Sequence, residues 1–245
     1  MKLFVWDFHG TLEYGNDYAV TDITNLAMRQ RGHDRVMTHQ ESLMLSGKRW
    51  HEYFSYLLPD VDQKEHETLQ LLCFEISQNQ PELIAKHIQL TQHADYVLQE
   101  ITKSSHQQIL VSHTQQDALH WYVEQLDLSK YFHSSNIYGV DTHTCKNRSK
   151  QQVVQTILDH DKFEEIISIG DSPLDASLAN LHPKGKSYLY AHPGKKHRDA
   201  TAHHKISDLR DVLNCICNTS PAANDFEAIQ IATNSGEKRI VSFRR

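Results

Sequence analysis

The sequence has no long apolar run. None of its hydrophobic stretches approaches the ~20 residues needed to cross a bilayer, so no membrane-spanning segment is expected. The N-terminus passes from Met1-Lys2 straight into a short apolar strand, without a small-residue cleavage site. That reads as no secretory signal, hence a cytoplasmic protein. Basic residues are not in excess either. Lys and Arg number 25 against 31 Asp and Glu, giving a net charge of −6 with histidine neutral. A general cationic surface for nucleic acid is therefore not expected, and the basic residues that matter should be local, placed to meet a small anion. Cysteine is scarce. Cys73, Cys145, Cys215 and Cys217 match no zinc spacing, and a chain of 245 residues does not need a disulfide scaffold. They read as buried or incidental thiols. No internal repeat is present.

Histidine, by contrast, is abundant at 18 residues. Most are dispersed, but His192, His197, His203 and His204 crowd one segment with Lys195, Lys196 and Arg198. Asp199 is the only carboxylate among them and the spacing matches no standard ligand set, so the segment reads as a solvated loop. The length suits one large domain, or a core domain carrying a smaller insertion. A hydrophobic content of 39% is enough for a buried core.

The most informative stretch is the first. Lys2-Leu-Phe-Val-Trp6 is an apolar run that ends abruptly on Asp7, followed by Phe8-His9-Gly10-Thr11-Leu12. This is the pattern of a short buried strand delivering one carboxylate to its C-terminal end, the edge where open α/β sheets bind their ligands. Further apolar runs at Gln108–Ser112, Asn136–Asp141, Ile166–Gly170 and Ser187–Tyr190 read as core strands. Helical patterns separate them: Thr91–Ile101, Thr114–Leu126, a helix capped by Ser149 with Val153, Val154, Ile157 and Leu158 inward, and one starting at Pro173. Ile206–Cys217 reads as the last helix. Strands alternating with helices imply a doubly wound parallel sheet. Residues 14–90 show helical periodicity without a convincing strand and read as an all-helical insertion after the first strand. The expected organisation is thus a Rossmann-like α/β core of residues 1–13 and 91–217, a helical cap of residues 14–90, and a C-terminal extension of residues 218–245.

In a parallel sheet, the residues ending the strands share one edge. Asp7, Ser112 and Asp171 should therefore converge, and Asp175 lies over the first turn of the helix that follows Asp171. Three carboxylates in a small space raise one another's pKa unless a cation neutralises them, and hard oxygen donors suit Mg²⁺.

These segments, Asp7-Phe-His-Gly-Thr-Leu, Ile109-Leu-Val-Ser112, a lysine before a helix, and Ile167-Ser-Ile-Gly-Asp171-Ser-Pro-Leu-Asp175, resemble the four ordered motifs of the haloacid dehalogenase-like hydrolases. The resemblance covers roughly residues 2–212 and implies a helical cap of the type inserted after the first motif. It implies a Mg²⁺-dependent phosphohydrolase of a small phosphorylated metabolite, acting through an aspartyl-phosphate on Asp7. Asp171 and Asp175 would join Asp7 and the backbone carbonyl of His9 as metal ligands. Thr11, Ser112 and the neighbouring His113 would contact the phosphoryl group, and a lysine would neutralise its charge. Lys150 is favoured over Lys146 because Val153 and Val154 follow it at the offset of a starting helix. Lys48 and Arg49, after the Gly47 interruption, resemble the substrate-touching segment of such caps.

One position departs from the family pattern. Its phosphatases carry a second Asp two residues after the nucleophile, where this chain has His9. Imidazole can serve as general acid and base near neutrality. The alternatives are a catalytically weak binding or regulatory module, a phosphotransferase, or a phosphonate-cleaving relative using Lys48.

Overall fold

A computed structural model describes residues 1–46, 48–140, 149–216, 230–232 and 238–240. Its centre is the first strand, β1 (Lys2–Trp6), all five residues of which are buried. Burial on both faces follows from the run itself, since an unbroken apolar strand has no side to offer water. Phe4 and Trp6 enter one hydrophobic cluster, Leu3 and Val5 another on the opposite face, as the two-residue period of a strand requires.

After Asp7 the chain turns through Gly10 and forms β2 (Glu13–Tyr14). Five helices follow: α1 (Asn16–Gln30), α2 (His39–Leu45), α3 (Trp50–Leu57), α4 (Gln63–Asn79) and the short α5 (Glu82–Ala85). Thr38 and Asp62 cap α2 and α4, each accepting the backbone N–H three residues on. β3 (Gln89–Leu90) then returns antiparallel to β2, with Glu13 opposite Leu90 and Tyr14 opposite Gln89. The helical stretch thus enters and leaves through a two-residue ribbon that its periodicity did not reveal. Gly15 is required there: its φ is +102°, and a Cβ would lie 2.1 Å from the His87 carbonyl oxygen.

The alternation then runs α6 (Ala94–Lys103), β4 (Gln107–Ser112), α7 (Gln116–Gln125), β5 (Ile137–Gly139), α8 (Lys150–His160), β6 (Glu165–Gly170), α9 (Pro173–Ser177) and β7 (Gly185–Tyr190). A sixth strand, β8 (His204–Ile206), completes a wholly parallel sheet of order β5-β4-β1-β6-β7-β8. The chain builds outward from β1 through β4 and β5, then returns to the other side at β6, so the topological switch lies beside β1 and its C-terminal end opens a crevice.

One expectation needs correction on the C-terminal side. Ile206–Cys217 is not one α-helix: Ile206 ends β8, and a 3₁₀ helix spans Leu209–Cys215. The apolar spacing reflects burial of Leu209, Val212 and Cys215 against the sheet, which a tighter helix achieves equally well. The histidine-rich segment is an irregular and largely exposed loop, as expected, and it is anchored at two points. His197 Nε2 bonds the Ile206 carbonyl at 2.9 Å and His203 Nδ1 lies 2.9 Å from Ser187 Oγ, tying the segment to the sheet edge. Cys73 and Cys215 are buried free thiols; Cys145 and Cys217 lie outside the described residues. In the C-terminal extension, β9 (Gln230–Ala232) and β10 (Lys238–Ile240) pair antiparallel. No described helix is long and apolar enough to cross a membrane.

Candidate active site

The sheet delivers its chemistry at one edge. Register places Trp6 between Leu110 and Ile169, so Asp7 stands one residue past Trp6, Ser112 two past Leu110 and Asp171 two past Ile169. Asp7 continues the ladder by donating its N–H to the Ile169 carbonyl at 2.9 Å. Gly170, just before Asp171, has no room for a side chain: a Cβ there would come 2.2 Å from Asp175 Cβ. The next residues form a capping box, Ser172 Oγ accepting the Asp175 N–H while an Asp175 oxygen accepts the Ser172 N–H, with Pro173 in the first turn of α9. This fixes Asp175, and its remaining oxygen faces the sheet edge.

The side chains meet around Lys150. Its Nζ lies 2.6 Å from Asp7 Oδ1 and 2.7 Å from Asp175 Oδ1, and all three residues are buried. The Ser149 box starts α8 at this point and so sets the lysine. Lys146 lies outside the described residues. Thr11 Oγ1 donates to the other Asp7 oxygen at 3.2 Å. Gly10, at a φ of +79°, passes so close to Asp171 that a Cβ would sit 2.8 Å from its Oδ2.

Asp7, Asp171 and Asp175 can each offer a carboxylate oxygen within 4.8 Å of the others. Burial raises the Asp7 carboxyl, Lys150 opposes that rise, and Asp175 and Asp171 reinforce it; Asp171 is raised for the same first reason. A buried, all-oxygen set carrying more negative than positive charge is chemistry that fits a hard divalent cation.

His9 points its Nδ1 at Glu13 Oε2, 2.6 Å away, and packs edge-on against Phe8 and Tyr122. Burial opposes its charge, but the Glu13 carboxylate outweighs burial and raises the imidazole pKa. Glu13 is wholly buried, and its second oxygen accepts the Asn16 N–H at 2.9 Å. Beyond the four-residue spacing, nothing in the sequence signals this partnership. Ser112 is buried with its Oγ 2.9 Å from Thr114 Oγ1, whereas His113 is exposed. Lys48 and Arg49 are exposed, and no ion pair among the described residues joins them to the carboxylates. Instead Arg198, from the histidine-rich segment, places Nη2 3.1 Å from Asp171 Oδ2 and 3.2 Å from Ser46 Oγ.

A family model for haloacid dehalogenase-like hydrolases matches residues 4–181, and the chain belongs to that family. Among solved structures, it is similar to a haloacid dehalogenase family hydrolase from Deinococcus radiodurans with bound phosphate and sodium, at 13% identity and TM-score 0.62, covering 88% of this chain and 94% of that one. It is also similar to an archaeal β-phosphoglucomutase from a Pyrococcus strain, at 16% identity and TM-score 0.59, covering 89% and 99%. A haloacid dehalogenase-like hydrolase from Streptococcus pneumoniae shares 15% identity at TM-score 0.61, covering 78% and 84%. At such identities these likenesses carry the fold alone. No protein of curated function matches significantly.

Proposed function

We propose that the chain is a Mg²⁺-dependent phosphohydrolase of a small phosphorylated metabolite, with Asp7 as nucleophile. The observation carrying this reading is the buried Asp7–Lys150–Asp175 chain at the switch-point edge of the sheet. Asp7 attacks phosphorus, the P–O bond to the leaving group breaks, and an aspartyl-phosphate forms; water then cleaves it and regenerates Asp7. Lys150 holds one Asp7 oxygen in place and offsets negative charge as the phosphoryl group transfers. Thr11 holds the other oxygen. Ser112 and the backbone N–H of His113 cradle the non-bridging oxygens. Asp7, Asp171, Asp175 and the His9 carbonyl would hold the cation, which when bound supplies charge neutralisation between carboxylate and phosphoryl oxygens.

His9 stands where the family's phosphatases have their acid/base Asp. With Nδ1 engaged by Glu13, its Nε2 is the atom available to give a proton to the leaving oxygen and later take one from water. Residues 14–90 act as the cap over this site, with Lys48 and Arg49 as its substrate-facing cations. Lys48 is exposed, which disfavours the Schiff-base route of a phosphonate-cleaving relative, since a nucleophilic lysine is usually made neutral by desolvation. A small-metabolite substrate suits a cytoplasmic enzyme.

The test is hydrolysis of 4-nitrophenyl phosphate by the purified protein. Activity should require Mg²⁺ and vanish in Asp7→Asn. Absence of hydrolysis across a panel of phosphometabolites with Mg²⁺ present would overturn the reading in favour of a binding module.

A further inference from the structure

Arg198 does something the proposed chemistry does not use. It leaves the sheet on the segment between β7 and β8, at the same edge as the carboxylates, and its guanidinium spans from Asp171 to Ser46 at the end of α2. It thus joins the core to the helical insertion directly over the site. The segment is held rigidly enough to aim it, because the neighbouring His197 is bonded to the Ile206 carbonyl. Both contacts use Nη2, so among the described residues the Nε and Nη1 protons have no partner, and the side chain keeps 38% exposure. A guanidinium with free, forked N–H groups matches carboxylate and phosphate oxygens. Lys48 and Arg49 follow Ser46 within three positions and are exposed, and no ion pair among the described residues engages either side chain. The Asp171 contact occupies one nitrogen of Arg198 and leaves the rest of the fork open to an anion from outside.

Building on the phosphohydrolase reading, we infer that Arg198 is a specificity residue that binds a second anionic group of the substrate, a carboxylate or a second phosphate, beyond the phosphoryl group transferred at Asp7. Asp171 and Ser46 hold the guanidinium at the junction, and its free N–H groups receive the distal anion. Substrates carrying only one anionic group leave Arg198 idle.

The test is equilibrium binding, which needs no turnover. Calorimetry in the presence of Mg²⁺ compares methylphosphonate with 3-phosphonopropionate and with ethane-1,2-diphosphonate. Wild type should bind one of the two bis-anionic ligands at least about tenfold more tightly than methylphosphonate, as one added charge-assisted hydrogen-bond pair would give. The tighter of the two identifies the distal group. Arg198→Ala should lose that preference, Arg198→Lys should keep part of it, and Lys103→Ala, an exposed charge control on α6, should keep all of it. Equal binding of all three ligands by wild type, or the same preference in Arg198→Ala, overturns the inference. A preference for bis-anionic ligands in a protein that hydrolyses no phosphate ester would leave the inference standing and sink the hydrolase reading instead.

Discussion

Lys150 is the residue whose removal the structure makes most quantitative. Replacing it with Met keeps most of the volume but deletes the charge that sits 2.6 Å from Asp7 and 2.7 Å from Asp175, in a side chain only 3% exposed. Taking away one partner of a buried ion pair costs about 3–5 kcal/mol, because the other charge is left uncompensated. The protein has one escape, which is to protonate a carboxylate. Burial already lifts Asp7 from 3.8 to about 7 with Lys150 in place, so without the lysine a proton is taken up readily at pH 7 and almost completely at pH 5. The penalty is therefore bounded by the cheaper route at each pH. Lys150→Met should lose up to about 3 kcal/mol at pH 7 and clearly less at pH 5. The sign follows from linkage: carboxylates whose pKa is higher folded than unfolded make the folded state bind more protons, so stability falls as pH rises between the two values. Urea denaturation followed by circular dichroism, with EDTA present, reads both numbers. Millimolar Mg²⁺ should then recover part of the loss at pH 7, since a cation binding only the folded state stabilises it. A loss under about 1 kcal/mol at pH 7, or an equal loss at both pH values, would refute the charge accounting.

Gly170→Ala should destabilise by about 2 kcal/mol and depress activity, because the new Cβ collides with Asp175 at the start of α9; a melting temperature equal to wild type would count against the packing described. Glu13→Gln removes the anion that raises the His9 pKa, so the alkaline limb of the kcat profile should move to lower pH while KM holds; an unmoved profile would remove His9 from acid–base duty. At the opposite edge of the sheet, Glu165 accepts from Lys2 at 2.9 Å and Lys186 at 2.6 Å. Burial would raise its carboxyl, but the two lysines prevail and hold it below its ordinary 4.5. Its contribution is present above that value and lost as pH falls through the lower folded one, so Glu165→Gln should cost about 1 kcal/mol at pH 7, with the gap to wild type closing below pH 4.5.

Asp7, Ser112 and Asp171 were readable because each ends an apolar run, and strand ends in a parallel sheet share an edge whatever the details of packing. Asp175 followed from the spacing of a starting helix. The core strands and most of the helices were legible for the same reason: hydrophobic period is local information. The short ribbon of β2 and β3 was not, since two residues are too few to show a period, nor was β8, an edge strand whose His204-Lys205 faces solvent.

The sequence by itself determined the class of fold, the family and the carboxylates at the centre, because these depend on order and spacing along the chain. It favoured Lys150 over Lys146 but could not set that lysine between Asp7 and Asp175, pair Glu13 with His9, or lift Arg198 out of a segment that reads as solvated. Those are facts about which side chains meet across 4, 143 or 152 residues. Only the packed sheet, which brings β1, α8 and the β7–β8 segment to one edge, decides them, because an ion pair's energy depends on distance in space and burial rather than on separation in the chain.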